Sequence, residues 1–147
     1  MTDHVLPAPL VEIQEEFLAL EVKDRLQLLL EYSNDLPDLP EKYRDHPDLL
    51  ERVVECQSPV FIFTEIDADG RVHFHASAPR EAPTTRGFAS ILAHGLDSLT
   101  IEQLQDIPGD FPESLGLTEA VSLLRIRGMT AMLSRAKRQV ATAESRL

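Results

Sequence analysis

The chain has one cysteine, Cys56, and no tryptophan. A single cysteine excludes an internal disulfide, so a working thiol here acts alone or with a thiol on another protein. Its chemical roles reduce to a nucleophile, a sulfur carrier or a metal ligand shared with a partner; the non-chemical role is a small buried hydrophobe. Basic residues are scarce as well. Lys and Arg number 14 against 25 Asp and Glu, for a formal charge of -11, and that field repels nucleic acid and anionic membrane. No apolar run approaches the roughly 20 residues a membrane span requires. The N-terminal Met1 to Pro7 has neither the basic start nor the apolar stretch of a signal peptide. A reducing, cytoplasmic setting is the default expectation, and nothing in the sequence demands a dimer.

What remains is ordinary in bulk and uneven in detail. With 147 residues, 43% hydrophobic and 27% charged, the chain is large enough for a core of its own, and a single domain over 1–147 is expected. Residues 1–56 carry 14 acids and 5 bases, whereas residues 121–147 carry 6 bases and one acid, Glu144. The basic C-terminal segment reads as a solvated helix face or a docking face for an acidic protein.

Apolar residues at helical spacing predict helices over about 10–20 and 22–30, the second stopped by Pro37 and Pro40. The Pro- and charge-rich segment 36–47 predicts an irregular surface connection. Residues 60–76 predict a hairpin: Val60 to Ile66, a turn at Asp67-Ala68-Asp69-Gly70, then Arg71 to Ala76. The second strand alternates strictly, with Val72, Phe74 and Ala76 on one face and Arg71, His73 and His75 on the other. The first is nearly continuous in apolar residues and is expected to be the more deeply buried. Thr84 or Thr85 can cap a helix through His94. Thr100 and Gln103 form a capping-box pattern, Pro112 to Leu117 reads as a turn of helix, and a last long helix covers about 125–143. The sum is an α+β fold, a small antiparallel sheet with helices packed on it.

Several constellations could carry chemistry. His73 and His75 share a strand face and could chelate zinc with Cys56 as a third ligand. Glu65, Asp67, Asp69 and Gly70 imitate the start of a calcium loop, but Ala76 stands where the bidentate Glu belongs, so a hairpin turn is the better reading. A cysteine hydrolase would need His4, His46, His73, His75 or His94 to activate Cys56, and no local segment favours it.

Cys56-Gln57-Ser58, followed by Val60 and the aromatic Phe61, resembles the Cys-Gln-Ser-x-Val-aromatic signature of the SufE family of sulfur acceptors for cysteine desulfurases in iron–sulfur cluster assembly. Leu36-Pro37 is similar to the family's Leu-Pro segment, and Arg86-Gly87-Phe88 to its basic-Gly-hydrophobic helix start. Arg125-Ile126-Arg127-Gly128-Met129-Thr130-Ala131-Met132 is similar to its Arg-x-x-Gly-hydrophobic-x-x-Met helix. The resemblance runs in order over about residues 10–140. Three departures stand out: Glu55 precedes the cysteine where the family commonly has Gly, Ala76 and Ala78 flank Ser77 where some members have acidic residues, and the loop from Ser77 to Arg86, with two prolines, is longer than usual.

The resemblance implies an α+β fold like that of IscU-type scaffolds. It implies a sulfurtransferase-type carrier and desulfurase activator rather than a free-standing enzyme, with Cys56 as persulfide acceptor. Gln57 and Ser58 would be donors near the sulfur, and Arg125 a cation that favours the thiolate. The implied partners are a SufS-like cysteine desulfurase, which holds the pyridoxal phosphate, and a SufB-like scaffold that receives the sulfur. This chain would need no cofactor and no metal of its own. The alternatives are a zinc protein using Cys56, His73 and His75, and a non-catalytic interaction module.

Overall fold

Leu10, Ile13 and Phe17 recur at three- and four-residue intervals and all three are buried in helix α1, Ala8–Leu18. The structure is a computed structural model that describes residues 6–146; the N-terminal reading of Met1 to Val5, His4 included, lies outside them. Helix α2, Val22–Asn34, packs on α4, Pro83–Gly95. Their backbones meet at Gly87, where a Cβ would stand 2.5 Å from the Leu29 carbonyl oxygen; only glycine permits that approach. Arg86 ties the same junction, its Nε donating to the Ser33 carbonyl at 2.9 Å and its Nη1 to the Ala78 carbonyl at 2.7 Å. The expected threonine cap is absent: Ala82 is the N-cap and no side chain caps the helix. Pro83 starts α4 one residue before Thr84, and its missing N–H is harmless in a first turn.

The sheet is antiparallel in the order β1-β2-β3, formed by Glu51–Arg52, Phe61–Ile66 and Val72–Ser77. β2 and β3 make the expected hairpin, with Ile62 opposite Ala76 and Ile66 opposite Val72. Asp67 Oδ1 closes the turn by accepting the backbone N–H groups of Asp69 and Arg71 at 2.8 and 2.9 Å. Val72, Phe74 and Ala76 are buried, as their alternation requires. β2, however, is not buried on both faces. Ile62 and Thr64 are buried while Phe61, Phe63 and Glu65 are half-exposed, because α4 and α6 cover one face of the hairpin only.

The connection over 36–47 is more regular than its prolines suggest. Helix α3, Glu41–Asp45, follows Pro40 as N-cap, and a 3-10 turn spans Pro47–Leu49. Burial of Tyr43 drives it: the ring lies 5.4 Å from that of Phe63 and 5.3 Å from that of His75, and its hydroxyl donates to Glu65 at 2.5 Å. Helix α5, Ile101–Gln105, has the expected capping box. A 3-10 helix over Phe111–Leu115 precedes α6, Leu123–Glu144, whose N-cap is Ser122. Six α-helices and one three-stranded antiparallel sheet among the described residues make the fold α+β.

Candidate functional site

Cys56 lies in the loop that joins β1 to β2. The loop's neck is closed by the Val53 N–H, which donates to the Val60 carbonyl at 2.9 Å, and the Cys56 N–H turns back to the Val53 carbonyl at 3.1 Å. That turn folds the thiol inward, leaving the residue 6% exposed. The sulfur packs against α6 at Gly128. Cys56, Gln57, Ser58, Glu81, Arg125 and Gly128 are among the residues lining a pocket of about 470 Å³ at this place. The loop, the segment before α4 and the first turns of α6 thus converge on one thiol.

Of the predicted site residues, Gln57, Ser58 and Arg125 therefore share the pocket with Cys56. Arg125 is exposed and makes no ion pair among the described residues. A second arginine of α6, Arg135, reaches the cysteine loop through Glu55. Its Nη2 lies 2.7 Å from Glu55 Oε1 and its Nε 3.2 Å from Glu51 Oε2. Arg138 also pairs with Glu51, and Gln139 donates to it at 3.0 Å. The hydrogen bond from Arg135 holds the Glu55 carboxyl below its usual range, and Arg138 chiefly does the same for Glu51. Burial pushes the Cys56 thiol up to about 11; the neighbouring Glu55 carboxylate adds to the rise and Arg135 opposes it. Part of the basic character of α6 is thus taken up internally.

Sequence reading misses Arg135, whose position becomes readable only with the helix register. It lies seven residues after Gly128, two turns along the same face of a helix, so once Gly128 is placed beside the cysteine, Arg135 follows. His73 and His75 are not brought to Cys56: no histidine among the described residues lines its pocket. Both ring nitrogens of His73 are engaged, Nε2 with Asp67 and Nδ1 with Asp97, each at 2.7 Å, and His75 Nε2 meets Glu65 at 3.1 Å. The two carboxylates raise the His73 pKa, whereas burial lowers that of His75. Among the described residues, no group of three or more His, Cys, Asp or Glu is placed to hold a metal ion, and no helix is long and apolar enough to cross a membrane.

A lone inward-facing thiol in a short loop, backed by helices on one face of a small antiparallel sheet, defines a compact α+β protein built around one sulfur. The family model described as SufE, Fe-S metabolism associated domain, matches residues 11–140. The chain belongs to the SufE family. It is 48% identical over 139 residues to an uncharacterized SufE-like protein of Mycobacterium tuberculosis, covering 95% of this chain and 96% of that one. An uncharacterized SufE-like protein of Synechocystis is 28% identical, over 87% of this chain and 77% of its own length. The solution structure of a hypothetical protein from Thermus thermophilus superposes with a TM-score of 0.83 at 35% identity, covering 96% of this chain and 99% of that one.

Proposed function

We propose that residues 1–147 act as one cytoplasmic sulfur carrier. It takes the terminal sulfur of a persulfide from a cysteine desulfurase onto Cys56, stimulates that enzyme, and delivers the sulfur to an iron–sulfur scaffold. The observation that carries this reading is the setting of Cys56. The chain's one thiol lines a pocket, and large apolar side chains stand exposed beside it: Val54, 71% exposed, two residues before it, and Leu123 and Leu124 at the start of α6. Exposed apolar groups around a recessed reactive atom suit a surface that a partner protein covers.

In the transfer, the Cys56 thiolate attacks the outer sulfur of the donor persulfide. A new S–S bond forms at Cys56, the donor's S–S bond breaks, and the donor cysteine leaves as a thiolate, so no external oxidant or reductant is needed. With no second thiol in the chain, the persulfide cannot be discharged by internal disulfide closure. Gln57 and Ser58 offer donors at the pocket wall, and Arg125 offers a cation. The resting thiol, its pKa pushed up to about 11, is almost wholly protonated at neutral pH. Docking must therefore expose it or supply positive charge.

The test is intact-mass analysis after incubation with a cysteine desulfurase and free cysteine. A gain of one or more sulfur atoms that maps to Cys56 is expected, with none on Cys56→Ser. Undiminished stimulation of the desulfurase by Cys56→Ser would sink the carrier mechanism.

A further inference from the structure

Glu55 sits where a charge next to a nucleophile is least expected, and its carboxylate is not free. Among the described residues, the ion pair between Glu55 and Arg135 is the one side-chain polar contact that residues 54–59 make with the rest of the fold. The guanidinium that holds it is also anchored through its Nε to Glu51, which belongs to β1. Arg135 itself stands on α6, and its side chain is only 17% exposed. One side chain therefore joins a helix, a strand and the reactive loop. Of the two partners Arg135 is the more buried, with Glu55 45% exposed at its side chain.

We propose that Arg135 is a positioning residue for Cys56: by gripping Glu55 it braces the cysteine loop against α6 with the thiol turned inward, and opening the grip frees the thiol to react. The inference rests on the reading of Cys56 as the sulfur-accepting group, and it adds the element that sets when the group is available. The geometry is coherent with its chemistry. Glu55 next to the sulfur disfavours the thiolate, and the same residue is the handle by which the loop is held. Restraint and protonation thus act together in the closed state. The charged groups facing the thiol are Glu55 from the loop, Glu81 from the segment before α4, and Arg125 and Arg135 from α6; Glu51 and Arg138 act on it through Arg135.

Two readouts on the isolated protein, with no desulfurase present, test the brace. The first is hydrogen exchange of the Cys56 amide, which donates to the Val53 carbonyl within the loop. Glu55→Gln and Arg135→Gln are each expected to speed exchange by about three- to tenfold, as for loss of a local restraint. The double variant is expected to be no faster than the faster single one, because the same contact is broken once. The second is the pH profile of Cys56 alkylation by iodoacetamide. Glu55→Gln is expected to raise the rate at neutral pH and lower the midpoint, since it removes the anion and leaves Arg135. Arg135→Gln is expected to free the loop but place the midpoint above that of Glu55→Gln. Arg135→Lys restores charge without the two-point grip, and partial recovery of wild-type exchange is expected.

Exchange within twofold of wild type in Glu55→Gln, or singles that add in the double variant, would overturn the brace. Glu55 is exposed, so should Arg135→Gln fail to fold, Glu55→Gln alone decides. Because neither readout involves sulfur transfer, failure of the carrier reading in the mass assay leaves this outcome separately legible.

Discussion

A Cβ at Gly128 would stand 2.9 Å from the Cys56 Sγ, a separation that real side chains do not tolerate. The sulfur occupies the space that any other residue at 128 would fill. The glycine in the C-terminal helix and the cysteine 72 positions earlier are thus two halves of one seat.

Gly128→Ala is expected to unseat the thiol. The gain in helix propensity, about 1 kcal/mol, is outweighed by overpacking of about 1–3 kcal/mol. The denaturation midpoint should fall modestly, and alkylation of Cys56 should quicken as the sulfur is displaced toward the pocket. Unchanged alkylation would show that the seat does not control access.

The free protein's thiol should behave as an unusually weak acid. With its pKa pushed up to about 11 by burial, the alkylation rate should keep climbing about tenfold per pH unit past pH 9, where an ordinary cysteine levels off. The sign for stability follows from linkage. Above its ordinary pKa the unfolded thiol loses its proton while the folded one retains it, so unfolding releases protons and stability falls as pH rises toward 11. Cys56→Ala should flatten that fall.

His73 shows the same sign near neutral pH, from a different cause. Asp67 and Asp97 raise its pKa, so its contribution is fully present below the unfolded value near 6.5 and is lost as pH rises through the folded value. The His73 ring resonances should titrate above that ordinary midpoint and return toward it in Asp67→Asn and Asp97→Asn. A wild-type midpoint at or below the ordinary one would contradict the double pairing.

Arg86 should be among the costlier polar residues to remove. Arg86→Ala leaves the Ser33 and Ala78 carbonyls without their charged donor, a loss of about 2–3 kcal/mol, readable in urea denaturation. Arg86→Lys should recover only part of it, since an ammonium does not reproduce the planar fork.

These residues also show where the sequence is legible. Strict alternation in β3 and the Thr100–Gln103 box report local chemistry, and the structure reproduces both. Arg86-Gly87 is visible as a motif, but its reason, the close contact of α2 with α4, is a tertiary fact. β1 is invisible because two residues are too few to display a period. α3 is hidden by its flanking prolines, which permit a helix to begin as readily as they forbid one to continue. At the site, Cys56, Gln57 and Ser58 are contiguous and can be read directly. Arg135 is 79 positions away and meets Glu55 only because a long helix crosses the loop. Long-range electrostatics of that kind leaves no local pattern.

The closed neck of the cysteine loop bears on delivery. Val53 and Val60 are pinned to each other across the sheet edge, so the residues between them form a tether that can swing without unzipping a strand. Cys56 is three residues from Val53, and at about 3.3–3.6 Å per extended residue the sulfur has a reach of about 10 Å from its anchor. A cargo arm of that length could pass from one protein's cleft to another's while the body of the carrier stays folded behind it.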